Sequence, residues 1–234
     1  MLPTGEYERL RPHLEAALLA KGKILHGAGD RMESRYFVLG GMVSLLATTE
    51  QDETVEVGTV GREGVVGLPI VFDGSTACHD ALVSISGRAW RIRSDVLRGE
   101  YRRGAALQDV LHRYTVDLLS QLSQSSVCHR FHTSSQRLSR WLLLACDRID
   151  SDSLDMSQEL LAHLLGIQRT YVNAAAVELQ DADLIRYRHG KITLVNRPRL
   201  ERAACECYHF VRDRIAQTTA ATSWLFVAVQ DAIF

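Results

Sequence analysis

Long apolar runs are missing from this chain. No stretch reaches the ~18 apolar residues in a row that crossing a bilayer requires, so no membrane partner is expected. Cysteine is sparse and odd in number, with five residues, Cys78, Cys128, Cys146, Cys205 and Cys207. Most lie far apart, which argues against a disulfide framework. An excess of one charge is also lacking, since 27 Lys and Arg stand against 28 Asp and Glu. The chain as a whole is no polycation, so any nucleic-acid surface has to come from local clustering of Arg and Lys. The opening "MLPTGEYERLRPHLEAALL" carries charges throughout and shows no signal-peptide pattern. A reduced, cytoplasmic protein is expected.

Catalytic constellations are lacking too. In the strand-rich region only His26 and His79 occur, with no H-x-H or H-x-E spacing. His112, His129 and His132 pair with no defensible Ser or Cys nucleophile. A metal-dependent barrel enzyme is therefore the remote reading, and no catalytic residue is assigned.

What is present changes texture along the chain. Residues 5–20 read as a short amphipathic helix, with Leu10, Leu14, Leu18 and Leu19 on one side. From about 23 to 93, frequent glycines separate "RYFVLGGMVSLLA", "ETVEVGTV" and "DALVSISGRAWRI". Short β-branched and aromatic runs with glycine corners predict an antiparallel barrel or jelly roll of roughly seven or eight strands. "GREG" at 61–64 reads as a barrel turn, with an anion cradle beside Arg62 or Arg91 as the alternative.

Glycine disappears after Gly104. "AALQDVLHRYTVDLLSQLSQSSVCHRFH" carries Leu107, Leu111, Tyr114, Leu118, Leu122 and Ser125 at 3-4 spacing, close to a coiled-coil seam. A helix of ~28 residues is ~42 Å long, more than a small barrel can cover. Pairing with a second copy of the chain is expected.

Beyond "HTSS" and "SQRLSRWLLLACDRI" comes an acidic loop, "DSDSLD", and then "LAHLLGIQRTYVNAAAVELQ". Ser157 is placed to cap a helix whose buried face is Leu160, Leu161, Leu164 and Leu165. Gly166 suits the left-handed residue that ends such a helix. A second helix buries Val172, Ala175, Ala176 and Leu179 and shows Gln168, Arg169, Thr170, Tyr171 and Asn173. Such a helix fits a DNA major groove ~12 Å wide, and Arg, Asn and Gln can each make paired hydrogen bonds to base edges. The runs "LIRYR" and "KITLVN" then flank His189-Gly190 as a hairpin. Its Arg186, Arg188, His189 and Lys191 make a basic wing for phosphates, within a stretch whose only acid is Glu201. Ser157 and Gln158 complete the DNA-facing set.

This order of parts resembles the Crp/Fnr family of bacterial transcription regulators, over roughly residues 8–200. "SQELLAHLLGIQRTYVNAAAVELQDADLIRYRHGKITLVN" carries the resemblance best, with "QRLSRWLLLACDRI" before it and a weaker likeness in "GREGVVGLPIVFDGS". The resemblance implies an α+β fold in four parts. A double-stranded β-helix (jelly-roll) sensor barrel of the cyclic-nucleotide-binding type spans 1–104, and a dimerisation helix 105–132. A winged helix-turn-helix domain follows over 133–200, then a C-terminal helix and apolar tail over 201–234. It implies a homodimer on a partly palindromic double-stranded promoter site, with RNA polymerase as a further partner.

Two departures from the family bear on the effector. Cyclic-AMP-binding members carry a Gly-Glu pair and then an Arg-Ser pair. This chain has Gly67-Leu68 and, later, "STACHDAL" at 75–82. Without that Arg a buried cyclic phosphate lacks its charge-assisted partner, so cyclic AMP in the usual mode is not expected. The candidate effector pocket comprises Arg62, Glu63, Gly67, Leu68, Cys78 and His79, and the cofactor is unknown. A haem- or other small-ligand gas or redox sensor of the same family is the alternative. No cysteine precedes Cys78, so the iron–sulfur cluster that some members carry near the N-terminus is not expected. No metal site is assigned. In "CECYH" the C-x-C spacing is weak for zinc, and on a helix Cys205 and Cys207 would diverge, so a packing role is expected.

Overall fold

The computed structural model describes residues 3–68 and 76–217. The apolar run "WLFVAV" and half of "GREGVVGLPIVFDGS" thus lie outside the described residues. The described chain forms two units. The first holds residues 3–45, 59–68, 76–120 and 214–217, and the second holds Leu46–Gly58 and Gln121–Asp213.

In the first unit, α1 (Thr4–Leu10) ends in a 3-10 turn, Arg11–His13, and the chain then enters β1 (Glu15–Leu19). The helix expected over 5–20 is cut short at Pro12, which has no N–H to continue the ladder. "EAALL" instead pairs with a distant strand, Glu15 opposite Arg91 and Leu19 opposite Gly87. Leu10 and Leu19 are buried while Leu18 is 78% exposed, as alternation along a strand demands.

The remaining strands are β2 (Ser34–Thr48), β3 (Thr54–Val60), β4 (Val65–Val66) and β5 (Asp80–Arg93). Among the described residues they form one sheet ordered β1-β5-β2-β3, with β4 on β2, plus isolated bridges at Ile24–Leu82 and Arg31–Thr76. The pairing runs as an open path, not a closed ring. Among the described residues the strands are also fewer and longer than frequent glycine corners predict, because Gly40, Gly41 and Gly87 lie inside β2 and β5 instead of ending them. Val38, Val43, Val60, Val66, Ala81 and Val83 form the core of this β-rich unit. Helix α2 (Ser94–Arg102) follows, then α3 (Ala106–Phe131), which passes into the second unit after Ser120.

The second unit centres on α4 (Ser134–Ile149), which opens with a capping box. Thr133 Oγ1 accepts from the Gln136 N–H at 3.3 Å, and Gln136 Oε1 accepts from the Thr133 N–H at 3.0 Å. Helices α5 (Gln158–Leu165) and α6 (Arg169–Asp181) follow, then β7 (Ile185–Arg188), β8 (Lys191–Leu194) and α7 (Arg197–Ala203). The "DSDSLD" segment, expected as a loop, contributes a further strand, β6 (Ser153–Asp155), ahead of α5. Ser153 pairs opposite Thr193, making a three-stranded sheet β6-β8-β7. Arg197 ties these parts together through Asp147, Asp152 at 3.0 Å and Glu201 at 3.3 Å. A final described helix runs over 207–217.

Candidate nucleic-acid interface

The corner between α5 and α6 is built by local rules. Ser157 Oγ accepts from the Leu160 N–H at 3.1 Å, satisfying one free donor of the first turn of α5. Gly166 ends that helix at φ 59°, ψ 44°, where an L side chain is strained. Helix α6 buries Val172, Ala175, Ala176 and Leu179, the four residues its periodicity selects. Burying them turns Gln168, Arg169, Thr170, Tyr171 and Asn173 outward, and all five are exposed. Gln168 occupies the N-cap position without capping through its side chain, so its amide remains outside the helix's own bonding. Gln158 Nε2 donates to Asn173 Oδ1 at 3.1 Å and links the start of α5 to the outer face of α6.

The wing is anchored to this corner. His189 and Gly190 both take positive φ, as a two-residue hairpin turn with right-handed strand twist requires. Tyr187 donates from its hydroxyl to Met156 O at 2.7 Å, and Gly190 O accepts from the Met156 N–H at 2.7 Å. Gln180 Oε1, on α6, accepts from the Tyr187 N–H at 2.9 Å. Burial pushes the Tyr187 phenol above its ordinary range, and the Arg169 charge opposes that shift. Arg169 therefore lies within electrostatic reach of the wing. Arg188, His189 and Lys191 are exposed at its tip. The structure thus brings the outer face of α6 and the basic wing onto one locally braced platform.

The candidate effector residues are less uniform. Arg62 is exposed, while Glu63 is buried and accepts the Gly61 N–H at 3.1 Å. A side chain on Gly64 would collide with Tyr114. "GREG" therefore behaves as a close-packed turn that uses its own carboxylate on its own backbone. Leu68 is buried, Cys78 is exposed, and burial pushes the half-buried His79 below the ordinary histidine range.

The long helix also differs from its pattern. Leu107, Leu111, Tyr114, Leu118 and Ser125, read as an interchain seam, are buried within the chain itself, with Leu111 only 1% exposed. Leu122 is half-buried. The exposed apolar residues of α3 are Val116, Leu119, Val127 and Phe131, at spacings that put them on another side of the helix. A heptad pattern marks an apolar stripe but not whether its partner is the same chain or a second one.

One grouping brings together residues that the sequence keeps far apart. Cys128, His132, Cys205 and Cys207 bring their ligand atoms within 4.8 Å of one another. Cys205 precedes the 207–217 helix instead of lying on it, so the two thiols of "CECYH" converge. The Cys128 thiol is pushed below the ordinary thiol range by its hydrogen bond with Cys205 and by the charge of Arg140.

Comparison with known proteins agrees with this architecture. A cyclic nucleotide-binding domain model matches residues 18–103, and a Crp-like helix-turn-helix domain model matches residues 136–203. No curated protein matches. Among solved structures, FixK2 from Bradyrhizobium japonicum is 18% identical with a TM-score of 0.70, covering 82% of this chain and 98% of its own. The c-di-GMP responsive global regulator CLP of Xanthomonas campestris is 19% identical with a TM-score of 0.65, covering 83% and 100%. A CRP/FNR-family transcriptional regulator from Thermus thermophilus is 20% identical with a TM-score of 0.64, covering 81% and 98%. With a cyclic nucleotide-binding domain ahead of a Crp-like helix-turn-helix domain and the fold of these regulators, the chain belongs to the Crp/Fnr family of transcription regulators.

Proposed function

We propose that this chain is a homodimeric, sequence-specific DNA-binding regulator whose N-terminal domain answers to an effector other than cyclic AMP in its usual mode. The observation that carries the DNA reading is the exposed face of α6, with Arg169, Thr170 and Asn173 turned outward next to the Arg188–His189–Lys191 wing. Side chains at the start of α6 reach base edges, and the wing cations hold phosphates. Thr170 and Ala174, where cyclic-AMP regulators carry Glu and Arg, give an operator of its own. The dimer forms along α3 through Val116, Leu119, Val127 and Phe131, whose exposed apolar surface needs a cover. RNA polymerase is the second partner of the promoter-bound dimer, and the regulator works in the cytoplasm without catalysis of its own.

The effector reading rests on Leu68. A buried apolar side chain stands where cyclic-AMP-binding members have a carboxylate, and "STACHDAL" supplies no Arg. Gel-shift titration of the purified protein on its own promoter, at two salt concentrations, tests the whole. Binding is expected to weaken as salt rises. Arg169→Ala is expected to lose about 5- to 150-fold in affinity, from the ~1–3 kcal/mol of a good base contact. Unchanged binding by that variant overturns the assignment of α6. Calorimetry with cyclic AMP is expected to show no micromolar binding, and a clear isotherm defeats the effector reading.

A further inference from the structure

We propose that Cys128, His132, Cys205 and Cys207 form a mononuclear zinc site that fastens the segment after α7 to the end of α3. The grouping consists of two local pairs brought together over a long loop of chain. Cys128 and His132 stand one helical turn apart, and the His132 N–H still donates to Cys128 O at 3.2 Å. Residues four apart on a helix share a face. Cys205 and Cys207 flank Glu206 at the start of the 207–217 helix. All three cysteines are free thiols and almost wholly buried.

The spacing fits one tetrahedral ion. Zinc bonds of ~2.3 Å to sulfur and ~2.0–2.1 Å to nitrogen give tetrahedral edges of about 3.8 Å between sulfurs and about 3.5 Å between sulfur and nitrogen. Cys128 Sγ lies 3.6 Å from Cys205 Sγ, and Cys207 Sγ lies 3.5 Å from His132 Nδ1. An iron–sulfur cluster fits less well, because it spreads its ligands over two or more irons and sets some of them further apart than the 4.8 Å that spans all four here. A Cys128–Cys205 disulfide uses two of the four groups and leaves Cys207 and His132 without a purpose.

The surroundings match a metal site's second layer. His132 Nε2 lies 3.2 Å from Glu206 Oε1, which orients the ring so that Nδ1 faces the sulfurs. Gln124 Nε2 donates to Cys207 Sγ at 3.0 Å. Three thiolates, one neutral imidazole and Zn²⁺ sum to a single negative charge, and the Arg140 and Arg137 guanidinium charges both act on Cys128. His132 directly precedes Thr133, the N-cap of α4. The ion thus fixes the joint where the long helix hands over to the DNA-binding elements.

Metal analysis of the full-length protein, purified under reducing conditions without chelator, tests this. One zinc per chain is expected, retained in Cys78→Ser and lost in Cys205→Ser and Cys207→Ser. Glu206→Gln is expected to keep the stoichiometry but weaken zinc affinity about 10- to 100-fold. Removing a buried ligand also removes folding energy, so the wild-type protein provides an independent readout. Titrating its metal-free, reduced form with Co²⁺ is expected to give the visible absorption of tetrahedral thiolate coordination at one equivalent. No stoichiometric zinc together with no such spectrum overturns the site. So does full zinc occupancy in both the Cys205 and Cys207 variants, or a Cys128–Cys205 disulfide found by peptide mapping of the protein as purified.

Discussion

Gln158 Nε2 donates to Asn173 Oδ1 at 3.1 Å, so the first residue of α5 sets the amide orientation of a residue on the outer face of α6. With its oxygen engaged, Asn173 presents its Nδ2 hydrogens outward. That favours an acceptor on the DNA, such as the purine N7 or O6. Gln158→Glu replaces the donor by an acceptor and turns the Asn173 amide over. The variant is expected to fold with stability within about 0.5 kcal/mol of the parent, since both residues are exposed. If the proposed contact holds, its base preference is expected to change at the single position facing Asn173. Selection from a randomised operator library, compared with the parent, checks this, and an identical consensus counts against a base contact by Asn173.

Gly166 illustrates a second constraint at the same corner. A Cβ there would stand 2.8 Å from Val55 Cγ2, in the hairpin segment assigned to the second unit, and the residue's φ is 59°. Gly166→Ala thus combines left-handed backbone strain of about 1 kcal/mol with a steric clash. A total loss of about 2–3 kcal/mol is expected by urea unfolding. Val55→Gly in the same chain removes both crowding atoms, Cγ2 and the Cβ at 2.9 Å, and is expected to restore the packing part while leaving the backbone part. A double-mutant cycle separates them. Strictly additive losses would show that Val55 is not the obstacle.

The legible parts of this protein are those whose causes are local. Ser157, Gly166 and the Val172–Ala175–Ala176–Leu179 face lie within a few turns of helix, so capping and periodicity name them from the sequence. His189-Gly190 is a turn of two residues and reads as one. The strands β1 and β6 were invisible for the opposite reason. "EAALL" looks helical until it meets β5, and "SLD" is strand only because β8 lies beside it. The direction α3 faces is likewise a property of the whole chain, and Leu111 and Phe131 look equally apolar in sequence. The Cys and His cluster was hardest, since Cys128 and Cys205 are 77 residues apart. The clue available was that Cys128 and His132 share the i, i+4 spacing of a helical ligand pair, and nothing in the C-x-C run pointed back to it.

His26, in the first unit, makes the pH dependence of stability predictable in sign. Burial pushes its imidazole below the ordinary value of 6.5, and the Arg35 guanidinium pushes the same way. His79 also lowers it, while Asp30 and Asp80 oppose the shift. The folded protein therefore resists protonating His26 while the unfolded chain accepts the proton near pH 6.5. The stability associated with the neutral ring is fully present above that pH and declines as pH falls through the lower, folded value. His79, itself lowered by burial, contributes in the same direction. The melting temperature is expected to fall between pH 7.5 and 5.5, values on either side of the ordinary histidine range. His26→Gln, which keeps a neutral polar side chain, is expected to flatten that slope without reversing it, because His79 remains. Scanning calorimetry of both proteins across this range measures the difference. A slope identical in parent and variant would mean that His26 takes up its proton as readily in the folded chain as in the unfolded one.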